Sequence, residues 1–430
     1  MRRFVRRLLP HSLRTALIEA SRWLGWQACK RLGPPGWRQA RMAAHPYVEP
    51  YLRAAPVSTC MPYALQKDPF SGGLAGFRLA GSNWASREGA GKPVALMIGF
   101  NSWKLGFMAQ YLPEYRCAFL PGELPDKLGR QMAEATGRAR FSKVFSWGMS
   151  APDWVHAFAA RRQLAHVRVE DGFLRSAALG AHRTCPQSLV FDSKGIHYVH
   201  SQASDLEDLL NTFAVDAEAG LRAEAGRALA QIRAHGLTKY TLPAPEALPD
   251  RLRDAGRQHV LVPGQVSGDM SVRHGNPDGV DVRQMLDAAL AENPDADIWF
   301  KPHPDMLAIG AEGVHTLTGP HDRVHLLGPE ANMAAVLEAV SAVYTLTSLT
   351  GMEALVRGKS VTVFGTPFYA GWGLTDDRSP MARRRRHLDM LELFAITYMI
   401  YPRYLASPLN SRVGIFEAIR TIAKERDHAA

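Results

Sequence analysis

The sequence predicts an α/β protein of two doubly wound, Rossmann-like domains facing one another across a central cleft. Three observations predict it. The chain has 430 residues, too many for one ordinary core and enough for two domains of roughly 150 to 200 residues. Short apolar runs alternate with longer amphipathic segments, the pattern of parallel strands covered by helices on both faces. The alternation occurs twice, on either side of a stretch from Gly236 to Gln258 that holds Pro243, Pro245 and Pro249 and no strand-like run, and so reads as a linker.

In the first half the strands are expected at Val94–Gly99, Cys117–Leu120, Val144–Trp147, Val167–Val169 and Leu189–Phe191. Those of the second half are expected at Val260–Val262, Ile298–Lys301, Val324–Leu327, Ala342–Leu346 and Val361–Phe364. Each run is short and apolar on both faces, as a strand buried on both sides must be. The resulting division is a basic amphipathic segment at 1–45, a Rossmann-like domain at 46–240, a linker at 241–258, a second Rossmann-like domain at 259–382, and a basic run with C-terminal helices at 383–430. Ligands of such sheets bind beyond the carboxyl ends of the strands, so the residues directly after each run are the ones to inspect.

Composition excludes several classes. With 46% hydrophobic and 21% charged residues, 36 Gly and 28 Pro, the chain is neither disordered nor fibrous. Cys29, Cys60, Cys117 and Cys185 are far apart, with no CxxC pair and no zinc spacing, so neither a disulfide framework nor a metal site is expected and a reducing cytoplasm fits. No apolar run reaches the roughly 20 residues of a membrane span. The net charge of +10 is concentrated in residues 1–42, which hold ten basic residues and one acid, Glu19, interleaved with Leu8, Leu9, Leu13, Leu17, Ile18, Trp23 and Leu24. That is the make-up of a basic amphipathic helix lying on anionic lipid, with a solvated helix face as the alternative. A second basic run, Arg383 to Arg386, reads as an ordinary surface run. No aromatic stacking platforms accompany these charges, so nucleic acid is not an expected partner.

Four strand ends carry candidate chemistry. Glu170 and Asp171 follow Val167-Arg168-Val169 and precede Gly172; adjacent carboxylates can act as general base, general acid or nucleophile, the plainer alternative being a turn with Arg168 or Arg175 as ion-pair partner. Lys301 and His303 in Lys301-Pro302-His303-Pro304 offer donors to a phosphate, with prolines fixing the backbone. Ser348, Thr350 and Glu353 lie where a strand enters a helix; Thr350 and Glu353 have the spacing of a capping box, and the hydroxyls could also meet a phosphate. Gly264 and Gln265 open the second half after its first strand, and Asp269 supplies a third carboxylate. GxGxxG and GxxxxGK[ST] are absent, which removes the main support for dinucleotide redox chemistry and P-loop hydrolysis.

Taken in order, Arg168-Val169-Glu170-Asp171-Gly172-Phe173-Leu174-Arg175-Ser176, Val262-Pro263-Gly264-Gln265, Lys301-Pro302-His303-Pro304, Ser348-Leu349-Thr350-Gly351-Met352-Glu353-Ala354-Leu355 and Gly365-Thr366-Pro367-Phe368-Tyr369-Ala370-Gly371-Trp372-Gly373-Leu374-Thr375 resemble the capsule polysaccharide β-Kdo transferases of the KpsC type. The likeness runs from about residue 90 to about 405. It implies a GT-B fold, CMP-Kdo as donor with no further cofactor, and retaining transfer of Kdo to a Kdo-terminated linker on lyso-phosphatidylglycerol. The enzyme would then sit on the cytoplasmic side of the inner membrane, near an anionic glycolipid acceptor and other capsule assembly proteins. By the same resemblance the domain at 46–240 is the acceptor side and that at 259–382 binds the CMP-sugar, Glu170 and Asp171 take acid/base roles, and Lys301, His303, Ser348 and Thr350 meet the CMP phosphate.

A retaining reaction through two displacements also needs a carboxylate nucleophile, for which Asp269 is the candidate and Asp171 the second choice. Two departures stand out. The family's Val-Glu-Asp-Asp-Ala-Ser-Ile is replaced here by Val266-Ser267-Gly268-Asp269-Met270-Ser271-Val272, and the family carries two transferase modules where this chain has length for one. The alternatives are another CMP-sugar transferase acting on lipopolysaccharide, and a non-catalytic capsule assembly or export factor.

Overall fold

The computed structural model describes residues 65–67, 77–79, 91–100, 104–121, 130, 141–149, 151–178, 184–241, 248–266, 268–303, 321–328 and 331–429. The basic segment at 1–45, Ser267, Pro304 and residues 242–247 of the expected linker lie outside them. The chain divides into two compact units, one running through Val169 and the other from Glu170 onward apart from residues 183–185.

In the first unit β1 (Leu65–Lys67) and β2 (Phe77–Leu79) form an antiparallel pair. The main sheet is built from β3 (Val94–Phe100), β4 (Arg116–Pro121), β5 (Phe141–Trp147) and β6 (Ala165–Asp171), all parallel in the order β4-β3-β5-β6. Helices α1 (Leu105–Tyr111) and α2 (Asp153–Arg161) make the crossovers. Val155, Phe158 and Ala159 give α2 one buried stripe, the spacing a helix needs to cover a sheet.

The second unit opens with β7 (Ser188–Asp192), which pairs antiparallel with β14 (Pro402–Tyr404) near the end of the chain. Between them come α3 (Asp205–Thr212), capped by the Ser204 hydroxyl, and α4 (Leu221–Ala234). Its main sheet consists of β8 (His259–Pro263), β9 (Asp297–Lys301), β10 (Val324–Leu326), β11 (Ala342–Thr345), β12 (Ser360–Val363) and β13 (Asp376–Asp377). All neighbours are parallel and the order is β10-β9-β8-β11-β12-β13. Numbered from β8, that is the 3-2-1-4-5-6 order of a Rossmann sheet, whose topological switch point lies between its first and fourth strands.

The helices of this unit are α5 (Met270–Gly275), α6 (Val282–Glu292), α7 (Met333–Ala339), α8 (Thr350–Val356), α9 (Met390–Phe394) and α10 (Ser411–Ala429). A π-helical turn, Ala395–Ile400, continues α9. Met285, Leu286 and Ala289 of α6 pack on Val260, Ile298 and Phe300 of the sheet. Asp281 and Gln284 close a reciprocal capping box at the start of α6, which fixes where that buried stripe begins.

Each of the ten strands expected from the sequence is present. Glu170 and Asp171, expected just after a strand, are instead the last two residues of β6. Of the run Arg383–Arg386, expected as a surface patch, Arg385 is exposed while the other three are tied into the fold. Arg384 is 4% exposed, with its guanidinium on the carbonyls of Thr366, Pro367 and Ala370 and on Glu207. Arg383 binds Glu207 and the His200 carbonyl, and Arg386 takes the carbonyls of Leu210 and Phe213 at the end of α3. Arginine's planar fork suits carbonyl clusters of this kind, and these charges are committed to holding loops together.

Candidate active site

The switch point of the second unit's sheet is where a ligand is expected, beyond the carboxyl ends of β8 and β11. The residues found there are Gly264 and Gln265 after β8, and Leu346 to Ser348 after β11. Gln265 joins them. Its Oε1 accepts from the Thr345 hydroxyl at 3.1 Å and from the amides of Leu346 at 3.0 Å and Thr347 at 3.1 Å, while its Nε2 donates to Thr347 Oγ1 at 2.9 Å. The Gly264 amide donates to the Lys301 carbonyl at 2.8 Å, so the ends of β8 and β9 are also tied.

Lys301 is the last residue of β9 and donates to the Gly328 carbonyl at 3.0 Å; His303 follows, partly buried. Ser348 Oγ accepts from the Thr350 amide at 3.2 Å and donates to Thr350 Oγ1 at 3.0 Å. The Ser348 carbonyl receives the buried Tyr369 hydroxyl at 2.5 Å. Tyr369 belongs to the segment Gly365 to Thr375, and a side chain on Gly351 would meet its hydroxyl oxygen at 2.3 Å, which accounts for glycine there.

The capping box expected of Thr350 and Glu353 does not form. Leu349 is the N-cap of α8 and makes no side-chain cap. Glu353 is buried, and its Oε1 accepts the Lys239 amide at 2.7 Å. Burial raises its pKa, opposed by that hydrogen bond and by the charges of Arg357 and Lys239. A long-range partner satisfies the carboxylate in place of the helix's own first turn.

Around the end of β6 the carboxylates meet cations. Asp171 Oδ2 pairs with the Arg175 guanidinium at 2.8 Å, with the arginine side chain 1% and the aspartate 16% exposed. Its other oxygen, Oδ1, is buried with no hydrogen-bond partner among the described residues. Glu170 Oε1 accepts the Asp171 amide at 3.0 Å. Gly172 is required by packing: a Cβ would lie 2.2 Å from Ser188 Oγ and 2.7 Å from Ser188 Cβ. The Gly172 amide donates to the Ser188 carbonyl at 2.9 Å, and the Ser188 hydroxyl donates to the Leu174 carbonyl at 2.5 Å.

Two residues that sequence reasoning missed complete this cluster. The Lys239 carbonyl accepts the amides of Arg175 at 3.2 Å and Ser176 at 3.3 Å, so its peptide units bridge the Glu170–Asp171 segment to Glu353. Glu353 lies three residues after Thr350, about 4.5 Å along a helix axis, and the carboxylate segment is thereby linked to the switch-point loops. His197 is the second, with its ring edge-on to Phe173 at 5.0 Å between centroids. Its Nδ1 is buried without a partner among the described residues, and burial, aided by the Lys239 charge, pushes its pKa down to about 3. Asp269, by contrast, is exposed and is the N-cap of α5, its Oδ1 accepting the Ser271 amide at 3.1 Å.

The Rossmann order of the second sheet, the parallel sheet of the first unit and the site residues at strand ends define a GT-B-type α/β protein. A family model described as capsule polysaccharide biosynthesis protein matches residues 142–244 and 237–404. The chain belongs to this family. It is 38% identical over 367 residues to the lipopolysaccharide-processing protein LpsZ of Rhizobium meliloti, covering 83% of this chain and 80% of that protein. To the capsule polysaccharide modification protein LipA of Neisseria meningitidis serogroup B it is 40% identical over 290 residues, 65% of this chain and 41% of LipA.

Among solved structures, the Thermosulfurimonas dismutans KpsC beta Kdo 2,4 transferase superposes with a TM-score of 0.63 at 36% identity, over 77% of this chain and 98% of that one. The beta Kdo 2,7 transferase of the same organism's KpsC gives 0.56 at 26% identity, over 76% of this chain and 98% of that one.

Proposed function

We propose that the chain is a retaining glycosyltransferase that moves β-Kdo from CMP-Kdo to a Kdo-terminated glycolipid, the poly-Kdo linker on lyso-phosphatidylglycerol, in capsular polysaccharide biosynthesis and export. The observation that carries this reading is the Asp171 carboxylate, ion-paired to Arg175 with its Oδ1 buried and unpartnered among the described residues, on a segment that the Lys239 peptide units tie to Glu353 of α8 at the carboxyl end of a Rossmann sheet. The likeness to two Kdo transferase structures supports the sugar.

Kdo is a keto sugar whose anomeric carbon bears a carboxylate, and CMP leaves as a phosphate monoester. Lys301, His303, Ser348 and Thr350 supply donors for that phosphate, Gly264 and Gln265 hold the adjoining loops, and Pro304 would fix the backbone after His303. A single phosphate can be neutralised by such donors without a metal, so transfer is expected to proceed undiminished in excess EDTA.

Asp171 is the better nucleophile on geometry, because Asp269 is exposed and occupied as a helix cap. A carboxylate oxygen of Asp171 attacks the anomeric carbon, and the C–O bond to CMP breaks with its electron pair on the phosphate. An acceptor hydroxyl then attacks the same carbon, Asp171 departs as carboxylate, and Glu170 takes the hydroxyl proton; two inversions give retention. Arg175, 2.8 Å from Asp171, orients the nucleophile.

The basic segment at 1–45 would keep the enzyme at the anionic inner-membrane surface beside its acceptor, as a peripheral protein on the cytoplasmic side. Among the described residues no helix is long and apolar enough to cross a membrane. Sedimentation with phosphatidylglycerol vesicles tests this: Arg2, Arg3, Arg6 and Arg7 replaced together by Gln should release the protein, and unchanged binding would refute it.

The experiment for the activity incubates the purified chain with a Kdo-terminated acceptor and either CMP-Kdo or CMP-sialic acid. CMP release and a new β-Kdo linkage with CMP-Kdo alone is the expected result. Release with CMP-sialic acid alone would favour another CMP-sugar transferase, and no transfer from either would favour a non-catalytic assembly factor.

A further inference from the structure

Lys239 has no task in the transfer scheme above, yet it is held more firmly than a surface lysine. Its amide is committed to Glu353 and its carbonyl to Arg175 and Ser176. The other cations of the cluster are spoken for. Arg175 pairs with Asp171 at 2.8 Å and donates to Ser176 Oγ at 3.0 Å; Arg357 binds the carbonyls of Glu353 and Leu237 and pairs with Glu338.

The Lys239 ammonium differs. It makes no hydrogen bond or ion pair with any described residue, and its ring neighbour is Tyr240, with Nζ 5.6 Å from the ring centroid. A second cation shares this ring, Arg175 lying 5.7 Å from the same centroid. Burial pulls the Lys239 pKa down, but the charges of Tyr240, Asp171 and Glu170 outweigh it against Arg175, and the net shift is upward. The side chain therefore stays an ammonium. It stands within the field of two carboxylates without pairing to either, while Asp171 Oδ1 is buried and unpartnered.

Lys239 is only half-buried and its Nζ keeps access to water, so this ammonium, unlike Arg175 and Arg357, is open to an incoming anion. The ligand that fits carries its own anionic group next to the carbon that Asp171 attacks. An aldose has no such group, whereas a 2-keto sugar acid has a carboxylate bonded directly to its anomeric carbon. We propose that Lys239 binds the carboxylate of the donor sugar acid, selecting a 2-keto sugar acid over an aldose and setting its anomeric carbon beside Asp171. This rests on the Kdo transferase reading and adds to it the residue that recognises the sugar's charge.

The test is equilibrium binding by calorimetry of CMP and of CMP-Kdo to the full chain, to Lys239→Met and to Lys239→Arg. Loss of one charge-assisted contact should weaken CMP-Kdo about 10- to 100-fold on Lys239→Met, with CMP binding unchanged and Lys239→Arg recovering part of the loss. CMP-Kdo binding to Lys239→Met as tight as to the wild type overturns the proposal while leaving the donor reading intact. A wild-type chain that binds neither CMP nor CMP-Kdo refutes the donor reading and the proposal with it.

A second measurement does not depend on the variant folding. Free Kdo and its methyl ester compete against CMP-Kdo on the wild-type chain, where the acid should compete at least about tenfold better. Equal competition by the neutral ester also overturns the assignment.

Discussion

Replacing Gln265 by Leu keeps roughly the same volume and removes every polar contact between β8 and the loop after β11. Oε1 accepts three hydrogen bonds at 3.0 to 3.1 Å, two of them from the amides of Leu346 and Thr347, and Nε2 gives a fourth to Thr347 Oγ1 at 2.9 Å. The two hydroxyls can rotate to other acceptors. The two amides cannot, and an orphaned buried donor costs about 1 to 3 kcal/mol. Some of this is recovered if the loop shifts and admits water, so a loss of about 2 kcal/mol is expected, which for a unit of this size lowers the melting temperature by roughly 4 to 8 °C. Because the same loop carries Ser348, a proposed contact of the CMP phosphate, CMP affinity should fall by about tenfold or more. Thermal unfolding followed by circular dichroism, with CMP titration of the folded variant, measures both. A Gln265→Leu protein with the wild-type melting temperature and CMP affinity would refute the placement of Gln265 as the clamp of this site.

Two further outcomes are expected. In the first unit Ser146, His166, His156 and Arg168 form a hydrogen-bonded row at 2.7, 3.1 and 3.3 Å. Arginine only donates, so His156 Nε2 accepts, its Nδ1–H donates to His166 Nδ1, and His166 donates to Ser146. Protonating either ring would set two N–H groups head to head. Burial, then the charges of His156 and Arg168, pushes the His166 pKa down from 6.5 to about 3, and burial and Arg168 lower that of His156. A histidine depressed in the folded state stabilises above its unfolded pKa, and that contribution is lost as pH falls below about 6.5, at up to about 1.4 kcal/mol per pH unit, less here because the pair is partly exposed. Melting temperature should drop between pH 7 and pH 5, and His166→Gln should flatten the profile; an unchanged slope would contradict the row. Gly172→Ala should destabilise by about 1 to 3 kcal/mol and abolish transfer by displacing Asp171. Ser188→Ala should rescue it only in part, since Ser188 Cβ and its carbonyl carbon remain 2.7 and 3.0 Å from the new methyl; wild-type stability and activity in the single variant would show the contact is soft.

Much of the fold was legible in the sequence because buried parallel strands advertise themselves. Val260, Val262, Ile298 and Phe300 share the face that packs on α6, while Leu261 and Trp299 between them point to the other face and are also buried, so the runs are apolar without interruption. The strands not foreseen are β1 and β2, an isolated pair of three residues each, and β13 and β14, Asp376–Asp377 and Pro402–Tyr404, short pieces whose pairing depends on neighbours and not on their own composition. The candidate residues Gly264, Gln265, Lys301 and Ser348 are legible by the same logic, since they stand at or just after the carboxyl ends of β8, β9 and β11.

What sequence spacing could not deliver was partnership. Thr350 and Glu353 have the spacing of a local cap, yet Glu353 turns to the amide of Lys239, 114 residues away. Four consecutive arginines look like a solvated run until Glu207 and the carbonyls around Pro367 are brought to Arg383 and Arg384. Lys239 fell in a proline-bearing stretch expected to be linker, where the pairing of a lysine with an adjacent tyrosine was the one available sign. Asp269 was read for its charge, whereas its place ahead of Met270 makes it a helix cap.

The central claim is that Asp171 forms the covalent link to the sugar. Mixing the full chain with CMP-Kdo in the absence of acceptor, quenching in acid, and measuring intact and peptide masses tests it directly. The account predicts an adduct of one Kdo residue on the peptide containing Asp171, absent from Asp171→Asn. An adduct on Asp269 or Glu170, or full turnover by Asp171→Asn, would contradict it.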